Sequence, residues 1–273
     1  MIKEFSVLMS IYHKEKPQNF CECMESILKQ SVQPAEIVLV EDGKLTDELY
    51  EVIDKYKTRL GDTLTIVINK ENIGLGLSLA KGVKACKYDL IARMDTDDIC
   101  AEDRFEKQLK MFEDNPQLEL AGGQIEEFSG DVRNITGKRI VPTEQKQIYR
   151  YQRKRDAFNH MTVMFKRASV LAAGNYEHCL LMEDSLLWAK MIKRHMNMRN
   201  HQDVFVYART SDGLMERRGG LDYYRKYKNG RKLILKTGTI SHWDYYLTVF
   251  VQFIVCIIPI GLREFVFNKI LRK

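Results

Sequence analysis

Four short stretches hold the residue types that can do chemistry. The densest is Asp95-Thr-Asp97-Asp98. Residues two apart in an extended chain point to the same side, so Asp95 and Asp97 face one cavity and repel each other unless a cation joins them. A hard divalent ion with oxygen ligands, manganese or magnesium, is the natural occupant, and it keeps open positions for phosphate oxygens. The alternative is a solvated turn in which Asp98 caps a helix. The second stretch, Glu183-Asp184, opens a segment in which Leu187 and Met191, and Trp188 and Ile192, pair at helical spacing. Carboxylates at the positive end of a helix dipole are favoured in the ionised form that a general base needs. Plain helix capping places them there equally well. Asp42 before Gly43, and Asn72 before Ile73-Gly74, complete the set, and each also reads as an ordinary turn residue.

The elements that must position these residues follow a repeating order. Phe5 to Ile11 is β-prone, and from Pro17 to about Gln30 the residues Phe20, Met24, Ile27 and Leu28 recur at helical spacing. Glu36 to Val40 is a second strand running into Glu41-Asp42-Gly43, followed by a helical face of Leu45, Leu49, Val52, Ile53 and Tyr56. Leu64 to Ile68 leads through Asn72-Ile73-Gly74 into a helix to about Lys87, and Asp89 to Met94 is a fourth strand ending at Asp95. Four β-α units in succession predict an α/β protein with a parallel, helix-covered sheet. Ligands of such sheets collect at the carboxyl ends of the strands, where His13, Asp42, Asn72, Asp95 and Asp97 fall. The nearest approach to G-x-G-x-x-G, Gly74-Leu-Gly76, lies in the third turn with Leu79 in the last place, which argues against a dinucleotide site. There is no G-x-x-x-x-G-K-[ST] loop and no G-x-S-x-G elbow, so P-loop NTPase and α/β-hydrolase chemistry lose their support.

Taken together, Ser6-Val-Leu-Met-Ser-Ile-Tyr12, Ile37-Val-Leu-Val-Glu-Asp-Gly43, Asn72-Ile-Gly-Leu-Gly76, Asp95-Thr-Asp-Asp-Ile with Arg104 and Gln108, and Met182-Glu-Asp184 with Leu187-Trp188 resemble the family-2 glycosyltransferases of the GT-A fold. The likeness is nearest to bacterial enzymes that extend capsular, exopolysaccharide or O-antigen repeat units. It implies a GT-A type, mostly parallel nucleotide-binding sheet flanked by helices over residues 1–215, and a nucleotide-sugar donor, a UDP-sugar by expectation. Ser10, Tyr12, Glu41 and Asp42 would hold the nucleoside, with Asn72 and Gly74 beside them. Asp97 would bind a manganese or magnesium ion directly, and Asp95 would face the ribose or reach the metal through water. Arg93 is either a donor contact or a buried ion-pair partner. Asp184 would be the base, with Glu183 its neighbour. His160, in a strand from Asn159 to Lys166, would lie on the acceptor side or serve as a packed structural histidine. Arg209 and Arg217 would offer cations to the leaving diphosphate, or belong to a basic surface loop. The implied reaction is a single inverting displacement. Two departures stand out: Lys44 where relatives carry serine, and Met161 where they carry proline. Rival readings are a nucleotide-sugar nucleotidyltransferase, which lacks here its glycine-rich N-terminal loop, and a non-catalytic membrane scaffold.

Of the 273 residues 45% are hydrophobic and 29% charged, the make-up of a folded chain rather than a disordered one. The net charge of +6 is unevenly spread: residues 216–273 hold 12 basic and 4 acidic residues, against 31 and 33 before them. This basic excess flanks Tyr245 to Leu262, which carries no charge, so an anionic membrane surface is a better partner for it than nucleic acid. As a helix the stretch would reach about 27 Å, borderline for crossing. Crossing would also strand Arg263, Lys269, Arg272 and Lys273 on the far side. An in-plane hairpin kinked at Pro259 and Gly261 is therefore expected, attaching residues 216–273 to the cytoplasmic face of the membrane. A buried C-terminal helix or a homodimer contact are the alternatives. The six cysteines show no C-x-x-C spacing and the start lacks the apolar core of a signal peptide, so a reduced cytosolic setting is expected. A lipid-linked saccharide acceptor fits that placement.

Overall fold

The computed structural model describes residues 4–210 and 218–259, together with Gly261 and Arg263. The four predicted β-α units are present. Strands β1 (Ser6–Ile11), β2 (Glu36–Asp42), β3 (Leu64–Asn69) and β4 (Leu90–Arg93) form a parallel sheet in the order β3-β2-β1-β4. Every residue of β2 is buried, as a strand covered on both faces requires. Helix α1 (Pro17–Leu28) starts with proline in its first turn, where the missing N–H costs nothing. Helix α2 (Asp47–Leu60) is capped by Thr46, whose hydroxyl accepts from the Leu49 N–H. Helix α3 (Leu75–Ala85) starts from Gly74 on the opposite face of the sheet.

Beyond β4 the sheet departs from the parallel expectation. The short β5 (Ile99–Cys100) and α4 (Arg104–Asp114) precede β6 (Leu120–Phe128) and β7 (Ile135–Arg139); α5 (Gln145–Gln152) precedes β8 (Met164–Lys166). After α6 (Arg167–Ala172) and α7 (Glu183–Lys193) comes β9 (Met198–Arg209). β8 runs antiparallel between β4 and β6, β9 lies parallel to β6, and β5 and β7 add antiparallel edges. Strand-by-strand periodicity cannot foresee this, because β8 and β6 pair across long loops. Two local expectations are corrected. Asp98 caps no helix, since α4 begins six residues later. The segment from Asn159 to Lys166 is a 3₁₀ turn at His160–Thr162 followed by a three-residue strand.

The chain then forms α8 (Gly220–Thr237) and α9 (His242–Ile257). Ser241 and Asp244 build a reciprocal capping box at the start of α9. Ile234, Ile240, Tyr245 and Val249 pack with Met182, Leu186 and Ala189, which seats the two helices on α7. Helix α9 ends before Pro259, and no helix among the described residues is long and apolar enough to cross a membrane. It is not a buried helix either. Its inner face is covered, while Trp243, Tyr246, Phe250, Phe253, Ile254 and Ile257 are exposed along the other side.

Candidate active site

At the end of β2, Gly43 holds φ +86°, and a Cβ there would lie 2.7 Å from the Asn72 backbone nitrogen, so the Asp-Gly pair is a turn that glycine makes possible. Asp42 points into the protein. Its Oδ1 accepts from the Ile73 N–H at 2.8 Å and from Asn69 Nδ2 at 3.2 Å, and its Oδ2 accepts from the Gly74 N–H at 3.0 Å. Asn72 Nδ2 donates to the Asp42 carbonyl at 3.2 Å. The expected nucleoside residues Asp42, Asn72 and Gly74 are thus brought together, and they bind one another. Glu41 is buried beside them, and burial, with Asp54 second, raises its carboxyl. Ser10 is half-buried at the end of β1, level with Val40, and Tyr12 stands exposed just beyond.

The end of β4 is built differently. Arg93 is buried, and one guanidinium nitrogen pairs with Asp95 Oδ1 while its Nε and Nη1 have no hydrogen-bond partner among the described residues. Asp97 is half-buried, and burial followed by repulsion from Asp95 and Glu15 pushes its carboxyl up to about 7. Glu15, from the loop after β1, accepts from the Thr96 hydroxyl at 2.7 Å and so belongs to this cluster. Asp98 is buried and accepts from the Arg209 N–H at 2.8 Å. The Arg209 side chain donates to the Asp97 carbonyl at 2.9 Å, pairs with Glu22 and lies 4.6 Å over the Phe128 ring. Its guanidinium therefore ties the acidic loop to β6 and α1. Arg217 lies outside the described residues.

Helix α7 brings the second acidic pair to the same end of the sheet. A Cβ on Gly76 would meet the Glu177 carbonyl at 2.5 Å and the Glu183 Cβ at 3.0 Å, so the start of α3 and the start of α7 approach closely. Leu181, just before the pair, adopts φ +72°, a conformation that costs a branched side chain about 1–2 kcal/mol. Burial raises the Asp184 carboxyl well above the usual carboxylate range, and Asp156 and Glu183 push it the same way; the Ser185 N–H, which donates to Asp184 Oδ1 at 2.7 Å, does not offset them. Glu183 is raised too, by burial first, with Arg93 opposing. The helix dipole alone favours ionised carboxylates here. Desolvation and like charge outweigh it. His160 is buried, its Nε2 lies 2.9 Å from the Tyr176 hydroxyl, and burial with Arg93 nearby holds its pKa well below the ordinary value, so the ring is neutral. The His160 ring lies 6.0 Å from the Trp188 ring of α7.

Residues 6–171 match the model of glycosyl transferase family 2. The chain is a family 2 glycosyltransferase. The glycosyltransferase is 40% identical over 270 residues to a glycosyltransferase of Haemophilus influenzae, covering 99% of this chain and 100% of that one. It is 36% identical to the amylovoran biosynthesis glycosyltransferase AmsE of Erwinia amylovora (97% and 98% covered). It is 32% identical to the UDP-Gal:alpha-D-GlcNAc-diphosphoundecaprenol beta-1,3-galactosyltransferase of Escherichia coli (99% and 97%). Among solved structures it shares its fold with TarS of S. aureus in complex with UDP-GlcNAc, at TM-score 0.65 and 17% identity over 97% of this chain and 74% of that one. It likewise shares it with the mannosyltransferase PcManGT of Pyrobaculum calidifontis in complex with GDP-Man and Mn2+, at TM-score 0.63 and 15% identity over 91% and 68%.

Whether a divalent ion suits this glycosyltransferase can be judged from the donor set. Among the described residues no group of three or more His, Cys, Asp or Glu side chains is arranged as a complete metal cage. What the end of β4 offers is a pair of carboxylates, with Asp95 paired to Arg93 and Asp97 raised by burial and then by its acidic neighbours. Hard oxygen ligands whose repulsion a single arginine only partly offsets fit an ion that takes its other ligands from a diphosphate and water. Glu15, Asp156 and Tyr176 enter the neighbourhood without any sequence signal: each lies in a loop, and their proximity follows from strand pairings of long separation.

Proposed function

We propose that the chain transfers a sugar from a UDP-sugar to a lipid-linked saccharide in bacterial surface-polysaccharide synthesis, with inversion at the anomeric carbon. The observation that carries this is the meeting of two acidic pairs, Asp95 with Asp97 and Glu183 with Asp184, around the buried Arg93. Asp97 would hold a manganese or magnesium ion directly, with Asp95 facing the ribose or reaching the ion through water, and the ion would supply positive charge against the diphosphate. Ser10, Tyr12 and Glu41 line the nucleoside end, while Asp42 fixes the Asn72-Ile73-Gly74 turn that shapes it. Asp184 accepts the proton of the acceptor hydroxyl as that oxygen attacks the face opposite the diphosphate. A base whose pKa is lifted toward the working pH both ionises there and binds the proton firmly. Burial provides the lift first, and Asp156 and Glu183 add to it. The UDP donor and the diphosphate-lipid acceptor are supported by the Escherichia coli relative, and polysaccharide synthesis also by AmsE.

The acceptor's lipid calls for a membrane-facing surface, and α9 supplies one. Trp243, Tyr246, Phe250, Phe253 and Ile257 follow helical spacing and are between 37% and 73% exposed. Arg225, Lys228, Lys232 and Lys236 on α8 are exposed as well, and together they suit an anionic bilayer at the cytoplasmic face. A second copy of the chain would bring like charges together at that surface, which disfavours the homodimer.

A panel of sugar nucleotides offered with manganese and a diphosphate-lipid saccharide tests the reading. Release of free nucleoside diphosphate with a new β-linkage is expected. Pyrophosphate exchange would instead mark a nucleotidyltransferase, and no turnover of any donor would leave a scaffold.

A further inference from the structure

The stretch from Arg150 to Arg155 holds four cations and no carboxylate. Arg153 is committed, its Nε and Nη2 donating to Asp244 Oδ2 at 2.9 and 2.7 Å. The others surround a cavity of about 410 Å³ lined by Pro142, Gln147, Arg150, Tyr151, Lys154 and Arg155. Arg155 stacks over the Tyr151 ring at 5.5 Å, and among the described residues neither Arg150 nor Lys154 forms a side-chain ion pair. The cavity therefore combines an aromatic and aliphatic lining with a cationic rim. Inorganic anions need no such lining, and an uncharged sugar needs no such rim. The two features together fit a phosphate carried by an apolar group.

Its position narrows the ligand. Asp156, directly after Arg155, is the foremost charge acting on Asp184. On the other side, the Arg153 ion pair reaches the first turn of α9, and Arg231 of α8 donates to the Arg153 carbonyl at 2.6 Å. The cationic segment is thus followed by the residue whose charge acts on Asp184 of α7, and it is bonded to the helices with the exposed apolar stripe. We propose that Arg150, Lys154 and Arg155 form the subsite for the diphosphate that joins the acceptor sugar to its lipid. The proposal rests on the lipid-linked acceptor argued above. It assigns the acceptor's anchoring charge to residues remote from the donor's diphosphate.

The test is direct binding of farnesyl diphosphate to the full-length chain, by calorimetry at constant ionic strength, with inorganic pyrophosphate as a second ligand. Arg150→Gln with Lys154→Gln should weaken farnesyl diphosphate by at least roughly tenfold. Arg150→Lys should weaken it far less. Pyrophosphate should bind the wild type more weakly than farnesyl diphosphate, and UDP affinity should stay the same in both variants. Unchanged farnesyl diphosphate binding in the double variant overturns the proposal. So does a parallel loss of binding to phosphatidylglycerol vesicles, which would make the patch a bilayer contact. If the double variant also loses UDP affinity, the Arg150→Lys protein decides, since a tenfold loss there contradicts a charge-based site. Because no sugar transfer is measured, the two failures are read apart: unchanged farnesyl diphosphate binding in the double variant counts against this subsite alone, and failure of the acceptor assay counts against the reading on which it rests.

Discussion

The ends of β2 and β4 flank β1 in one sheet and both carry carboxylates, yet they treat them oppositely. At β2 the Asp42 carboxylate accepts three N–H groups and has no hydrogen bond left wanting. At β4 and the facing start of α7, Asp97 and Asp184 are desolvated by burial and crowded by Asp95, Glu15, Asp156 and Glu183, and their proton affinities rise in consequence. A carboxylate that the fold satisfies is part of the frame. One that the fold leaves charged and poorly compensated is waiting for a ligand or a proton. The comparison makes unlike demands on substitutions: changes at β4 and α7 should cost activity and spare the fold, and changes at β2 should do the reverse.

The largest effect expected is that of Asp184→Asn. Transfer should fall roughly 10²–10⁴-fold while UDP-sugar affinity, read by calorimetry, is retained. Stability should move the other way. The folded-state pKa of Asp184 is raised, so the folded protein holds this proton more tightly than the unfolded chain does. That contribution is full below the ordinary carboxylate pKa and is lost as pH rises through the shifted one. Asparagine keeps a neutral side chain at every pH, so the variant should melt about 2–4 °C higher than wild type near pH 8. The gap should close near pH 4. A variant that melts lower at pH 8 would place Asp184 with Asp42, among the satisfied carboxylates.

Asp97→Asn comes next, with a loss of about 10²–10³-fold in transfer at fixed manganese, since several kcal/mol of charge stabilisation are removed. A finer check uses the wild type. With the Asp97 carboxyl at about 7 in the metal-free protein, manganese must displace a proton below that pH. Apparent manganese affinity, followed by the metal's paramagnetic relaxation of water, should therefore be about tenfold weaker at pH 6 than at pH 8. A flat profile would separate Asp97 from the ion.

How much of this contrast was readable beforehand follows from range. The four parallel strands were legible because each is a local apolar run feeding a helix, and both acidic pairs were legible as residue types at an element's end. Which strand end is satisfied was not. Asp42 and Gly74 are 32 positions apart, and their bond exists because the Asn72 turn folds back over Gly43. The dipole at α7 argued for an ionised Asp184; burial opposes it first, and then the charge of Asp156, a loop residue that follows α5. From its sequence Arg209 read as a diphosphate cation or part of a basic surface loop; that it also ties Asp97, Glu22 and Phe128 together had no sequence signal. Neighbours in space, rather than residue type, decide which role a charge takes.

Asp42→Ala tests the satisfied end. Deleting the carboxylate leaves the Ile73 and Gly74 N–H groups without an acceptor in a half-buried turn, which should cost about 2–4 kcal/mol. Melting should fall by roughly 5–15 °C. At temperatures where the variant is folded, kcat should change little and donor KM should rise. A normal melting temperature with abolished donor binding would show that Asp42 meets the base directly, and the division between the two ends would fail.

The glycines of the same turn separate strain from crowding. Gly74 has φ +88° and ψ 156°, a region nearly closed to other residues, but a Cβ there meets nothing within 4 Å. Gly74→Ala should therefore cost about 1–3 kcal/mol of backbone strain alone. Gly43→Ala carries similar strain and also drives a Cβ to 2.7 Å from the Asn72 nitrogen, which must move and take the Ile73 and Gly74 donors off Asp42. It should destabilise more than Gly74→Ala, and its cost should shrink in an Asp42→Ala background, where those bonds are already gone. Additive costs in that double-mutant cycle would mean that Gly43 and Asp42 do not act through one turn.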